Sequence, residues 1–128
     1  MSPELKKILL GAEDCLSDAK FNYEHERYRA SSNRAYYCIL DCVTALLHSR
    51  DSFSKTHHGA HVKFRQLFIK TSDLSQSLDE ILLRVFDLRQ SCDYDFDFGP
   101  TEADAAAAIA GAQEFLEATH LFLGKSQG

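Results

Sequence analysis

Tryptophan is absent from the chain, and proline, glycine and methionine are scarce, at two, six and one in 128 residues. So few turn-forming residues leave no punctuation for an all-β fold, which needs a break every ~8–12 residues. Long apolar runs are missing too. The longest candidate, 103–112, is broken by Asp104 and Gly111 and falls short of the ~18–20 residues a membrane span needs. The N-terminus, Met-Ser-Pro-Glu-Leu-Lys-Lys, leads into an amphipathic pattern containing acids rather than a secretory leader. Neither export nor membrane insertion is expected, and a cytoplasmic location is. The four cysteines, Cys15, Cys38, Cys42 and Cys92, form no CxxC pair and no zinc-ribbon spacing. They read as small apolar core residues in a reducing compartment. Excess positive charge is also lacking: a formal net charge of −5 argues against a protein that coats DNA.

What is present is the composition of an ordinary globular chain, 45% hydrophobic and 26% charged. The length predicts a single domain over 1–128 with an ordered core of about 3–123. Apolar periodicity gives helix after helix. Ser2 can cap a first helix, with Pro3 at its first position, and Leu5, Ile8, Leu9, Ala12, Cys15, Leu16 and Ala19 form the core-facing stripe. A second stripe runs from about Tyr28 to Ser49. After a polar loop, a shorter helix is predicted around Ala60 to Lys70. A fourth carries Leu74, Leu78, Ile81, Leu82, Val85, Leu88 and Cys92, with Ser72 or Asp73 as cap. The alternating run 93–100 ends in Gly-Pro and reads as an extended connector. Thr101 and Asp104 resemble a capping box ahead of the last helix. Its Ala105–Ala108 tract could let two helices approach closely, and the tail 124–128 is expected to fray. The expected architecture is all-α, a five-helix up-and-down antiparallel bundle.

Four constellations could carry chemistry. Glu117-Ala-Thr-His120 is one copy of a motif that a di-iron bundle needs twice, and His57 and His61 at i, i+4 have no carboxylate close by in sequence. No metal or cofactor is expected. Between Arg50 and Lys70 the charged residues are Arg50, Lys55, Lys63, Arg65 and Lys70 against Asp51, with His57, His58 and His61 among them. That is an anion-binding composition, set against an acidic block of Asp93, Asp95, Asp97, Glu102 and Asp104. Arg89 and Asp93, at i, i+4, can pair at a helix end, or Arg89 can bind a phosphate with Tyr94 as hydroxyl donor. In Asn33-Arg34-Ala-Tyr36-Tyr37-Cys-Ile-Leu-Asp41, a buried Asp41 needs partners, as a structural hub or as a site residue.

Three anchors then stand in register: Asn33-Arg-Ala-Tyr-Tyr37, Lys55-Thr-His-His-Gly59 and Leu88-Arg-Gln-Ser-Cys-Asp-Tyr-Asp95. With the closing Glu-Phe-Leu at 114–116, the chain resembles the HEPN superfamily (higher eukaryotes and prokaryotes nucleotide-binding), in its small stand-alone prokaryotic branch, from about Leu5 to Leu123. The resemblance implies a helical bundle that forms a homodimer with a cleft at the two-fold axis. Many such proteins are metal-independent ribonucleases, often toxins paired with a minimal nucleotidyltransferase antitoxin. The family's motif is an arginine followed after four to six residues by a histidine. Arg89 matches the arginine, but Tyr94, Asp95 and Phe96 stand where the histidine belongs, and the next histidine is His120. The resemblance therefore assigns catalysis to Arg89 and Tyr94 with His57 brought in from the basic loop. It assigns RNA or nucleotide binding to Lys55, His58, Arg34, Asp41 and Asp93. A different expectation is a non-catalytic interaction scaffold of the same fold, in which Arg89, Asp93 and Asp41 are structural.

Overall fold

A computed structural model describes residues 1–127, with side chains through Lys125. Five α-helices follow in order: α1 (Pro3–Glu24), α2 (Tyr28–Ser49), α3 (His57–Phe64), α4 (Gln76–Tyr94) and α5 (Glu102–Gln127). Among the described residues there is no strand. The expected all-α bundle is what forms, and α2 is its axis, packing against each of the other four helices.

Local chemistry sets most of the boundaries. The Ser2 hydroxyl accepts the Leu5 N–H at 3.1 Å, with Pro3 at the first helical position. Thr101 and Asp104 make the reciprocal capping box: Asp104 Oδ2 accepts the Thr101 N–H at 2.9 Å and Thr101 Oγ1 accepts the Asp104 N–H at 3.0 Å. Aspartate thus serves where glutamate is usual. Asp93 and Tyr94 complete the last turn of α4, and the connector, extended at Asp95, turns over Phe96–Asp97 where the Phe98 N–H donates to the Asp95 carbonyl at 3.1 Å.

Three boundaries differ from expectation. The third helix starts at His57, because Thr56 caps it through the Gly59 N–H at 2.9 Å. It then runs into a π-helical turn over Arg65–Ile69. The cap of α4 is Ser75, which accepts the Ser77 N–H at 3.2 Å. Ser72 cannot serve, because it sits at φ 62° and closes the preceding turn. The tail expected to fray continues as helix to Gln127; Gly128 lies outside the described residues.

The core is layered along α2. Ile39, Val43 and Leu46 are fully buried between Leu5, Leu9 and Ala12 of α1 and Phe115 and Leu123 of α5. Phe64 stacks near Phe68 at 6.0 Å and packs on Phe115 at 5.5 Å, which seals α3 against the bundle. Each fully buried side chain of this size is worth about 1.5–3 kcal/mol. At Gly111 a Cβ would lie 3.0 Å from Ile81 Cγ2 and from Arg84 Nη2, so the small-residue face of α5 does bring it close to α4. Ser31, at the start of α2, donates its hydroxyl to the Ala19 carbonyl at 2.8 Å and fixes the entry of α2 against α1.

With glycine scarce, left-handed positions fall to Glu26, Asp51 and Ser72. Each closes a helix end by a backbone bond, such as Arg27 N–H to Asn22 O at 2.8 Å and Ser52 N–H to Leu47 O at 2.9 Å. A side chain there costs energy that glycine would not. Ser72 is exposed, so Ser72→Gly is expected to raise stability by about 0.5–1 kcal/mol in urea unfolding. An unchanged midpoint would contradict this.

Candidate functional site

On α2, Tyr36 and Tyr37 turn their rings toward α3 and α4. Tyr36 is fully buried, and the two rings meet edge to face at 5.4 Å. A buried phenol must find partners, and it finds two. Its Oη lies 3.0 Å from His61 Nε2 and 3.3 Å from His57 Nδ1. Both histidines come from the first turns of α3, four residues apart on one face. Phe86 of α4 holds the assembly from the other side, 5.3 Å from the Tyr36 ring and 4.8 Å edge-on to His61.

One turn on from Phe86, Arg89 lies with its guanidinium 5.5 Å from the centroids of both tyrosine rings. Its Nη2 donates to Tyr37 Oη at 3.3 Å. Its Nε is 2.9 Å from Asp93 Oδ2, the expected i, i+4 ion pair. The Nε–H does not point at the carboxylate, however, and Nε is a buried donor without a hydrogen bond among the described residues. Arg89 is thus anchored by charge and rings, with 14% of its side chain open to solvent. Arg34 stacks on the other partner of this pair, 4.9 Å from the Tyr37 centroid, and bonds Asn33 Oδ1 at 2.9 Å.

The electrostatics follow from this crowding. Burial, and then the Arg89 charge, hold His57 below the usual histidine range, so its ring is neutral at pH 7. His61 is pushed down to about 4, mainly by burial and further by His57, Arg65 and His58, with Asp79 pulling the other way. Burial raises the Tyr36 phenol well above its ordinary value, against the pull of Arg89. Tyr36 stays protonated; His57 is the group able to accept a proton.

The candidates from sequence divide accordingly. Arg89, Asp93, His57 and Arg34 meet around the two tyrosines. Asp41 does not: it lies 3.7 Å from Cys15 Sγ on the α1 side of α2, where a Cβ on Gly11 would come within 3.4 Å. Burial raises its carboxyl, with the Cys15 thiol and Arg34 opposing. Tyr94 ends α4 with 75% of its surface exposed. Lys55 and His58 are exposed beside the start of α3, with no hydrogen bond or ion pair among the described residues. Gly59 makes this corner possible. A Cβ there would stand 2.3 Å from Ser54 Oγ and 2.9 Å from Thr56 Oγ1, displacing the cap that sets His57.

Much of the basic segment is spent within the fold. Arg50 pairs with Asp73 at 2.6 Å and covers the Phe68 ring at 4.1 Å, and Lys63 donates to the Phe53 carbonyl. Arg65 grips the buried Asp79 at 3.0 and 3.2 Å, a pair whose disruption would strand a charge. A different basic surface appears instead. A cleft of about 680 Å³ at the start of α2 is lined by Arg27, Arg29, Arg34 and Asn33, with Glu26 at its edge, and reaches the cluster at Asp93. The acidic block is likewise engaged, with Glu102 accepting from Tyr23 Oη at 3.0 Å. His120 pairs with Glu13 at 3.0 Å.

Comparison with known proteins agrees with this architecture. Residues 5–121 match the family described as HEPN domain. Two proteins of Methanocaldococcus jannaschii, each bearing the name "putative toxin", are 32% identical to the chain. One aligns over 124 residues, covering 97% of this chain and 80% of its own length. The other aligns over 114 residues, covering 89% and 84%. A UPF0332 protein of Thermotoga maritima is 35% identical over 108 residues, covering 84% of this chain and 81% of its own. The chain belongs to the HEPN family. No helix among the described residues is long and apolar enough to cross a membrane.

His61 gives the cluster a pH signature. Its folded pKa of about 4 lies below the unfolded value of about 6.5. Between those values the unfolded chain binds more protons, so stability falls as pH drops from about 6.5 to about 4. The loss expected in urea unfolding is at most about 3 kcal/mol, with the His61 ring titrating near 4 by NMR. An ordinary His61 titration would contradict the packing described.

Proposed function

We propose that this protein is a toxin-like HEPN component that binds RNA phosphate at the Arg89–Tyr37–His57 cluster and cleaves RNA weakly without a metal ion. The names of the two Methanocaldococcus jannaschii relatives support the toxin-like reading. By the family resemblance it works as a homodimer paired with a minimal nucleotidyltransferase antitoxin. The observation that carries the proposal is the Arg89 guanidinium, held over two tyrosine rings and partly open to solvent beside a neutral imidazole. The solvent-facing part of that guanidinium would take a phosphate oxygen.

The chemistry follows from the groups in place. The ribose 2′-hydroxyl attacks phosphorus while His57 takes its proton. Arg89 steadies the charge that builds on the phosphorane oxygens. The P–O5′ bond breaks, a 2′,3′-cyclic phosphate remains, and the leaving oxygen receives a proton from the imidazolium. In this reading Lys55, His58 and Arg34 contact neighbouring phosphates, and Tyr94 donates its exposed hydroxyl.

Labelled RNA incubated with the purified protein in EDTA tests this. Cleavage should persist under chelation, fall by about 100-fold or more in Arg89→Ala, and fall by a similar factor in His57→Ala. Equal activity in wild type and Arg89→Ala would overturn the assignment. The scaffold alternative has its own outcome: Arg89→Ala lowers the melting temperature and leaves RNA affinity unchanged.

A further inference from the structure

We infer that Tyr36 and His61 are positioning residues that hold the His57 imidazole in its Nδ1–H tautomer, leaving Nε2 as a free proton acceptor. The inference rests on the phosphate-site reading for its catalytic consequence; the tautomer itself is a property of the free protein.

A phenol has one proton to donate and two lone pairs to accept with. Tyr36 is fully buried, so its proton goes to one of the two histidine nitrogens in reach rather than to water. A neutral imidazole carries one N–H and one bare nitrogen, so only two self-consistent arrangements exist. In the first, Tyr36 donates to His61 Nε2 and accepts from His57 Nδ1–H. In the second, both bonds are reversed, and the His57 proton sits on Nε2, which then cannot act as a base.

The distances favour the first arrangement. A phenol O–H is a stronger donor than its oxygen is an acceptor, and O–H bonds are shorter than N–H bonds. The shorter contact, 3.0 Å, runs to His61 Nε2, and the longer, 3.3 Å, to His57 Nδ1. His61 is 5% exposed and packed edge-on against Phe86, so its ring is held with Nε2 toward the Tyr36 hydroxyl. Phe86 packs on Tyr36 as well, which holds both rings in this geometry. His57 is less enclosed, and its Nε2 has no hydrogen-bond partner among the described residues. A chain of three side chains then does for His57 what a buried orienting group does in a catalytic triad. It fixes which nitrogen carries the proton before any substrate arrives. The charged and titratable groups facing His57 are Tyr36 and Tyr37 from α2, His61 from its own helix and Arg89 from α4.

Long-range proton–nitrogen NMR spectra of the full chain labelled at histidine nitrogen read the tautomer directly, without RNA. At pH 7.5 or so, His57 is expected to show a protonated Nδ1 and an unprotonated Nε2. In Tyr36→Phe it should revert to the Nε2–H form that a free imidazole prefers. A wild-type His57 already in the Nε2–H form overturns the inference, whether or not the variant folds; so does a Tyr36→Phe protein that folds with His57 unchanged. In RNA cleavage, Tyr36→Phe should lower kcat about tenfold or more with little change in KM. A protein with the expected tautomer but no RNA contact would contradict the phosphate-site reading alone.

Discussion

The need to satisfy one buried hydroxyl organises this molecule. Tyr36 sits at the middle of α2 with no access to water, and its phenol oxygen would cost about 1–3 kcal/mol if left unpaired. Two histidines from a separate helix answer it, which draws the start of α3 onto α2. Phe86 and Arg89 of α4 close over the same rings. Three helices far apart in sequence are thereby held at one point, and the residues that hold them are those with chemistry to offer.

The same crowding decides the charge states. Desolvation keeps both histidines neutral, while Asp93 and two aromatic faces hold the Arg89 guanidinium beside them. A cation and a neutral base side by side are what attack on a phosphodiester requires. Were His57 exposed, its basicity would be ordinary and its tautomer mixed.

How legible this was in the sequence depends on distance along the chain. The ends of α2, the Ser2 cap and the Thr101–Asp104 box could be read because each is settled within a few residues. Ser72 or Asp73 reads from sequence as the α4 cap, but Ser72 is left-handed and Ser75 takes the role. The π-helical turn over Arg65–Ile69 had no signal of its own. Arg89, His57, Arg34 and Asp93 stand among the residues given a role from sequence, whereas Tyr36, Tyr37 and His61 lie in the singled-out segments but are given none. Their contacts span 21, 25 and 52 residues, and no local pattern encodes such pairing. The pairing of the arginines in the basic run 50–70 is hidden for the same reason. Its arginines are matched by Asp73 and Asp79, which lie outside it. The cleft that does gather arginines, at Arg27, Arg29 and Arg34, is too short a stretch to stand out by composition.

The central claim is that a phosphate docks between Arg89 and His57. Titrating a short, uncleavable oligonucleotide with 2′-deoxy sugars into nitrogen-labelled protein tests it most directly. The Arg89 Nε–H and the His57 ring should shift together, with one dissociation constant that weakens as salt is raised. Shifts confined to the 95–101 connector, with Arg89 and His57 unmoved at saturation, would contradict it.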